Sequence, residues 1–199
     1  YPNIEITASS DGPLTDTLAA FTITVNNTND APIAVDDTAT TDEDVDVIID
    51  VLANDTEIDV GDTLTISSLN SVVNGTAVIA GNQVTFTPDA NFNDIASFDY
   101  TVRDNNAGTD TGHVEVTVNA VNDAPIGDAQ EDQSSAEGEE VTLRLSATDP
   151  DGDDIGFSAV GLPLGLIIDK NGLVEGTVAF GADASNSVEV TVTDGLLTD

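Results

Sequence analysis

Residues 24–33 read TVNNTNDAPI, and residues 117–126 read TVNAVNDAPI, 93 positions further along the chain. Each stretch begins as an alternating apolar–polar strand and ends at an Asn-Asp-Ala-Pro step. Pro32 and Pro125 confine the residue before them to extended backbone, so each step is a stiff, non-helical joint. A spacing of this size matches one two-sheet β-sandwich of about 100 residues. Repetition at that interval indicates an array of separately folded domains, not a solenoid of short repeats.

Working outward from the two joints, every segment reads as strands separated by turn chemistry. Residues 1–29 hold two strand patterns, at 4–7 and 21–25, which read as the last strands of a domain that begins outside this sequence. Residues 30–122 hold a full set, at 45–51, 63–66, 76–79, 83–87, 96–102 and 113–118. Asn74-Gly75 and Gly81-Asn82 are hairpin-type turns between them. Residues 123–199 supply patterns at 141–147, 155–159, 166–168, 173–175 and 188–193. The end, VEVTVTDGLLTD (188–199), aligns with the beginning, IEITASSDGPLTD (4–16), so the third domain is expected to lack its last strand. A sandwich with that edge open can take a strand from another copy by intermolecular strand exchange. The limits of the sequence are the favoured explanation of the mismatch, and strand exchange is the alternative. No helical period of useful length occurs, so the expected class is all-β.

The charge balance restricts partners. The chain carries 38 carboxylates against three cations (Arg103, Arg144 and Lys170) and a formal net charge of −35. Such a polyanion does not bind nucleic acid through phosphates and is repelled by an anionic bilayer. No apolar run of membrane length is present, so direct membrane insertion is not expected. With no cysteine, disulfides and thiol chemistry are excluded. Strong acidity with 4% aromatics can mean disorder. Here the apolar residues alternate in short runs, which argues for folded β structure whose carboxylates are held by divalent metal. Solvated, uncompensated acidity is the alternative.

The densest cluster is ATDPDGDD (147–154). Calcium takes six to eight oxygen ligands, so a site needs carboxylates at alternate positions and a turn that converges them. Asp149, Asp151 and Asp153 have that spacing, and Gly152 permits the bend.

These stretches resemble the cadherin superfamily and its bacterial cadherin-like relatives. ATDPDGDD is similar to that family's A-x-D-x-D-G step, and VNDAPI (121–126) to its inter-domain linker. VTVTDG (190–195) is similar to the late-strand motif ending in a calcium-ligating Asp, and SAEGEEV (135–141) to the early segment that contributes a Glu. GLPLGLIIDKNGLVEGTV (161–178) resembles the dystroglycan-type variant. VLANDTEIDVGDTLTI (51–66), FTPDANFND (86–94) and SFDYTVRDNNAG (97–108) resemble repeats of giant RTX-type adhesins exported by type I secretion. The resemblance covers nearly the whole chain. It implies tandem immunoglobulin/cadherin-like Greek-key β-sandwiches arranged end to end: a truncated domain at 1–29, a complete one at 30–122, and a dystroglycan-type one at 123–199.

It also implies calcium at the junctions. Carried over residue by residue, the junction at 119–126 would use Glu43, the linker's Asn122 and Asp123, and then Asp149, Asp151 and Asp194. The earlier junction would use Asn29 and Asp30, then Asp55, Glu57 and Asp59, with Asp104 as the late-strand Asp. Two departures, the missing Leu-Asp-Arg-Glu step and NDTEIDVGD in place of DxDxGD, imply fewer ions per junction than in vertebrate cadherins.

No nucleophile–base arrangement can be assembled from the sequence; paired carboxylates leave a glycosidase pair open by residue type, but nothing suggests the aromatic-lined cleft that sugar chemistry usually wants. The single histidine, His113, lies in an alternating strand, and one histidine makes neither a triad nor a His-based metal site. The expectation is a non-enzymatic, secreted stretch of adhesin stalk whose partners are the neighbouring repeats of the same chain. A carbohydrate- or protein-binding module is the alternative.

Overall fold

A computed structural model describes residue 22, residues 24–181 and residues 185–199. The strand expected at 4–7, and most of that at 21–25, lie outside the described residues. The rest is all-β, with fourteen strands and no helix among the described residues.

The first seven strands are β1 (Asp37–Asp42), β2 (Val47–Ile49), β3 (Thr65–Val73), β4 (Gly75–Ala80), β5 (Gln83–Pro88), β6 (Asp94–Arg103) and β7 (Thr109–Asn119). They form one sheet in the order β1-β7-β6-β3 and another in the order β2-β5-β4. β6 and β7 are antiparallel along their full length, whereas β1 runs parallel to β7. The two sheets face each other across a core in which Val84, Phe86, Phe98, Tyr100, Val102 and Val114 are fully buried. The Phe86 ring on one sheet stacks on Phe98 of the other, with centroids 5.9 Å apart. The alternation visible in the sequence is the cause: from Gly112 onward β7 buries every second residue and exposes the others.

The second set is β8 (Ile126–Gly127), β9 (Glu140–Arg144), β10 (Ala147–Thr148), β11 (Gly156–Val160), β12 (Leu166–Ile168), β13 (Leu173–Thr177) and β14 (Glu189–Thr193). They pair as β12-β13-β9, β11-β14 and β8-β10. No named strand pairing joins the two sets, so the chain between β7 and β8 is their covalent connection. The second core is thinner: its buried apolar residues are Leu145, Val174, Val178 and Val192, and each keeps a few percent of its surface exposed.

The structure extends some of the strands read from sequence, shortens others and adds new ones: the pattern at 45–51 gives only β2, and that at 141–147 is interrupted after Arg144. β3 continues to Val73 through two register shifts, which let it follow β6 past the predicted end. β1 and β8 were not anticipated. The β1 sequence, DTATTD, has no large apolar residue and is held by backbone pairing with β7. No helix among the described residues is long and apolar enough to cross a membrane.

Candidate metal centre

Three segments meet where the two sets join. Glu43 follows β1; its N–H donates to the carbonyl of Asn119, at the end of β7, at 2.9 Å. Asp123 lies in the connection before β8. Asp149 and Asp151 lie in the loop after β10, where Asp149 Oδ1 accepts from the N–H of Asp151 at 2.9 Å and of Asp153 at 3.3 Å. This loop works as an Asx turn, and Gly152 at φ 78° completes the bend.

Carboxylate oxygens of Glu43, Asp123 and Asp151 all lie within 4.8 Å of one another. Calcium–oxygen distances of about 2.3–2.6 Å put two ligands on opposite sides of one ion about 5 Å apart, so this spacing suits a shared cation. Glu43 is 3% exposed; its Oε1 accepts from the Val121 N–H at 2.5 Å, while Oε2 is buried with no partner. Asp123 Oδ2 and Asp149 Oδ2 are likewise buried without partners. Unpaired buried carboxylate oxygens are costly, and three residues of this joint, Glu43, Asp123 and Asp149, each carry one. The one ion pair among the described residues, His113 Nδ1 with Asp99 Oδ1 at 2.7 Å, lies on exposed faces of β7 and β6. Desolvation pushes the Asp123 carboxyl above its ordinary range, and the charges of Asp151, Asp44, Glu43 and Asp149 push it the same way. The donor set is oxygen alone, which suits a hard ion such as calcium over zinc or copper.

Asn122 and Asp194 complete the joint. Asn122 Nδ2 donates to Asp194 Oδ2 at 2.7 Å, and the Asp123 N–H donates to Asp151 Oδ2 at 2.7 Å. Donation from Asn122, together with the N–H groups of Leu196 and Leu197, holds the Asp194 carboxyl below its usual range.

The same wiring recurs one repeat earlier. Asn29 Nδ2 donates to Asp104 Oδ2 at 2.9 Å, the Asp30 N–H to Asp59 Oδ2 at 2.7 Å, and the Asp59 N–H to Glu57 Oε1 at 2.8 Å. Glu57 Oε2 is buried and unpartnered, as Asp149 Oδ2 is. Asp59 and Asp104 are both more than nine-tenths buried. Glu57 and Asp59 thus occupy the places of Asp149 and Asp151.

Two residues in the sequence-based ligand sets point elsewhere. Asp55 Oδ1 accepts from the Val35 N–H at 2.8 Å and lies 2.9 Å from the Tyr100 hydroxyl, inside the first sandwich. Asp153 is exposed and touches the cluster through its backbone only. Conversely, sequence reasoning missed Asn27, whose Nδ2 donates to Asp59 Oδ1 at 2.6 Å, and the Val121 N–H on Glu43. The run of Asn side chains in TVNNTND was the available signal for the first; the second is a backbone group, and no side chain marks it.

Asp37 was also unforeseen. It lies beside Asp55, Tyr100 and Asn54, and burial followed by the Asp55 charge raises its carboxyl to about 6. Asp37 Oδ2 and Asp55 Oδ2 are both buried without partners.

A family model described as a bacterial Ig domain matches residues 29–117 and, a second time, residues 122–198. No curated protein matches the chain. Among solved structures, the chain is similar to human mucin-like protocadherin EC1-2 at 17% identity, with a TM-score of 0.42, covering 83% of this chain and 91% of that one. It is similar to Drosophila N-cadherin EC1-4 at 17% identity and a TM-score of 0.45, covering 82% of this chain and 45% of that one. A family 107 endo-fucoidan hydrolase aligns at 19% identity and a TM-score of 0.34, over 85% of this chain but 27% of that one.

Proposed function

The chain belongs to the bacterial Ig domain family, and from that premise we propose that it is a run of calcium-rigidified, non-catalytic extender modules in a secreted bacterial surface adhesin of the RTX type. The modules are residues 1–29, 30–122 and 123–199, and the partners of each are its neighbours in the chain. The observation that supports this reading most is the convergence of Glu43, Asp123 and Asp151, with buried, unpartnered oxygens on Glu43, Asp123 and Asp149.

Those four residues, together with Asn122 and Asp194, would hold the ion. Bound calcium supplies positive charge to a cluster that has no cation of its own. The chain does the mechanical work. Glu43 belongs to the first sandwich, Asp123 to the connection and Asp151 to the second sandwich, so drawing their oxygens together fixes all three segments. Asn122 and the Asp123 N–H hold the connection against the second sandwich from the other side. At the affinities of extracellular modules, millimolar calcium adds about 1–3 kcal/mol per site, enough to decide whether a joint is stiff. The remaining carboxylates keep the rod soluble and discourage lateral association. A rod of this kind projects a distal binding domain from the cell surface.

Small-angle scattering and calcium stoichiometry test this together. Calcium should lengthen the particle and raise its unfolding temperature, and replacing Asp149 and Asp151 with Asn should remove both effects. Equal maximum dimension and stability in calcium and in chelator would contradict the proposal.

A further inference from the structure

The longest stretch of the chain without a charged side chain is residues 63–88, which hold no Asp, Glu, Lys, Arg or His. The stretch forms β3, β4 and β5, and β4 is an edge of its sheet, β2-β5-β4. Gly81-Asn82 turns β4 into β5, with Gly81 at φ 70° and Ala80 paired with Gln83. Glycine at the first central position marks a two-residue II′ turn, which hydrogen-bonds its flanking pair. Backbone groups alternate between the two edges of a strand. Those of Thr76, Val78 and Ala80 therefore bond to β5, and those of Ala77 and Ile79 face away from it. Among the described residues, nothing hydrogen-bonds to that outer edge. Natural edges are commonly blunted by charge or proline, and β4, GTAVIA, has neither. Val78, on the outer face, is 63% exposed; Ile79, on the core side opposite Val84, is still 37% exposed.

We propose that the β4 edge is an interface between two copies of this chain, in which β4 pairs antiparallel with the copy's β4 about a twofold axis at Val78. Ala77 then pairs with the copy's Ile79, and Ile79 with the copy's Ala77, so the free residues of each strand exchange both hydrogen bonds. Val78 lies opposite the copy's Val78 in a non-hydrogen-bonded pair, where side chains come closest. The two three-stranded sheets become one of six, and the row Ile48, Thr85, Val78 continues across the join. Charge selects both the place and the partner. A copy carries the same net charge of −35 and is repelled wherever carboxylates line its approach. β4 and β5 carry none. Asp46 and Asp50 flank β2, three strand spacings or about 14 Å from the copy's β4, beyond the screening length of about 8 Å. Asp89, the first carboxylate after the stretch, is level with Asn74, four residues along from Val78. A basic partner would seek the carboxylates, not the one stretch that lacks them. The contact is isologous, so it closes at two copies. It uses none of the carboxylates of the joint and is independent of the calcium reading.

Sedimentation velocity of the full chain in chelator tests this, because calcium bridging of acidic surfaces is then absent. The parent should pass from monomer to dimer as concentration rises. Val78→Glu and Val78→Lys should each be monomeric, since like charges then meet across the axis, and an equal mixture of the two should dimerise again. Cysteine variants read the register, because the chain has no thiol of its own. Opposed Cα atoms of a non-hydrogen-bonded pair are about 4.5 Å apart, within disulfide range, so oxidised Val78→Cys should give a covalent dimer. Thr76→Cys, on the same face, should not cross-link, because Thr76 meets the copy's Ala80. A parent that is monomeric at every concentration leaves the edge to another occupant and overturns the proposal. So does a mixture that fails to associate, or equal cross-linking of the two cysteines.

Discussion

Asn122 donates its side-chain amide to Asp194 at 2.7 Å, across 72 positions of sequence, and so fastens the connection between the sandwiches to the loop after β14. The equivalent bond from Asn29 to Asp104, at 2.9 Å, spans 75 positions and fastens the preceding connection in the same way. Each Asn stands beside an Asp whose own N–H is bound to the loop carboxylate, Asp151 in one case and Asp59 in the other. A joint of this kind is partly assembled by neutral donors, and its carboxylates are then held at close range with their remaining oxygens unpaired.

Replacing Asn122 with Ala removes one of the donors that keep the Asp194 carboxyl low. The Asp194 titration, followed by carbonyl NMR, should move up toward the ordinary carboxylate range. Limited proteolysis should cut residues 120–126 faster than in the parent chain, while the β1–β7 sandwich keeps its unfolding temperature.

Glu43→Gln keeps an acceptor for the Val121 N–H but removes one charge from the cluster. Two opposite effects should follow. In chelator the variant should be more stable than the parent, because like charges no longer face each other. In millimolar calcium the order should reverse, because the increment of about 1–3 kcal/mol from the ion is weakened. Thermal unfolding in the two buffers reads both signs.

How much of this was legible without the structure differs by element. β5, β6 and β7 were plain in the sequence because they alternate between a buried and an exposed face. β1 was not, because DTATTD is placed by its parallel pairing with β7, 77 positions away. Asp149 and Asp151 stood out as a dense acidic loop. Asp55 looked the same, since it precedes Glu57 and Asp59 at the same alternate spacing. Its side chain is instead taken up by Tyr100, 45 positions later. β14 has Val190 where β6 has Tyr100, so the second repeat gave no hint of this partner.

The carboxyl pair beside Tyr100 makes the first sandwich sensitive to pH. Asp37 has a folded pKa of about 6, above its ordinary value of 3.8. The folded state therefore binds that proton more tightly than the unfolded chain does. The resulting stability is fully present below about pH 4 and is lost as the pH rises through 6. Measured in chelator, the unfolding temperature of the parent should carry this loss between pH 4 and 6. An Asp37→Asn variant should lack that component and should be the more stable protein at pH 7.

Gly112→Ala tests the packing beneath the same hydroxyl. The added methyl would lie 2.5 Å from a fully buried ring whose oxygen is bound near Asp55 and Val35, so the ring has little freedom to retreat. Overpacking of this kind costs about 1–3 kcal/mol, which exceeds the roughly 0.4–1 kcal/mol that Gly→Ala gains through the unfolded chain. Denaturant unfolding should show a net loss.

The chain has no cysteine, so two introduced thiols can carry spin labels without competition. Thr111→Cys on β7 and Thr142→Cys on β9 place one exposed label on each sandwich. Electron–electron double resonance between them measures the joint itself. With calcium the distance distribution should be a single narrow peak, and in chelator it should broaden. Distributions of equal width in the two conditions would contradict the claim that a cation at Glu43, Asp123 and Asp151 locks the sandwiches together.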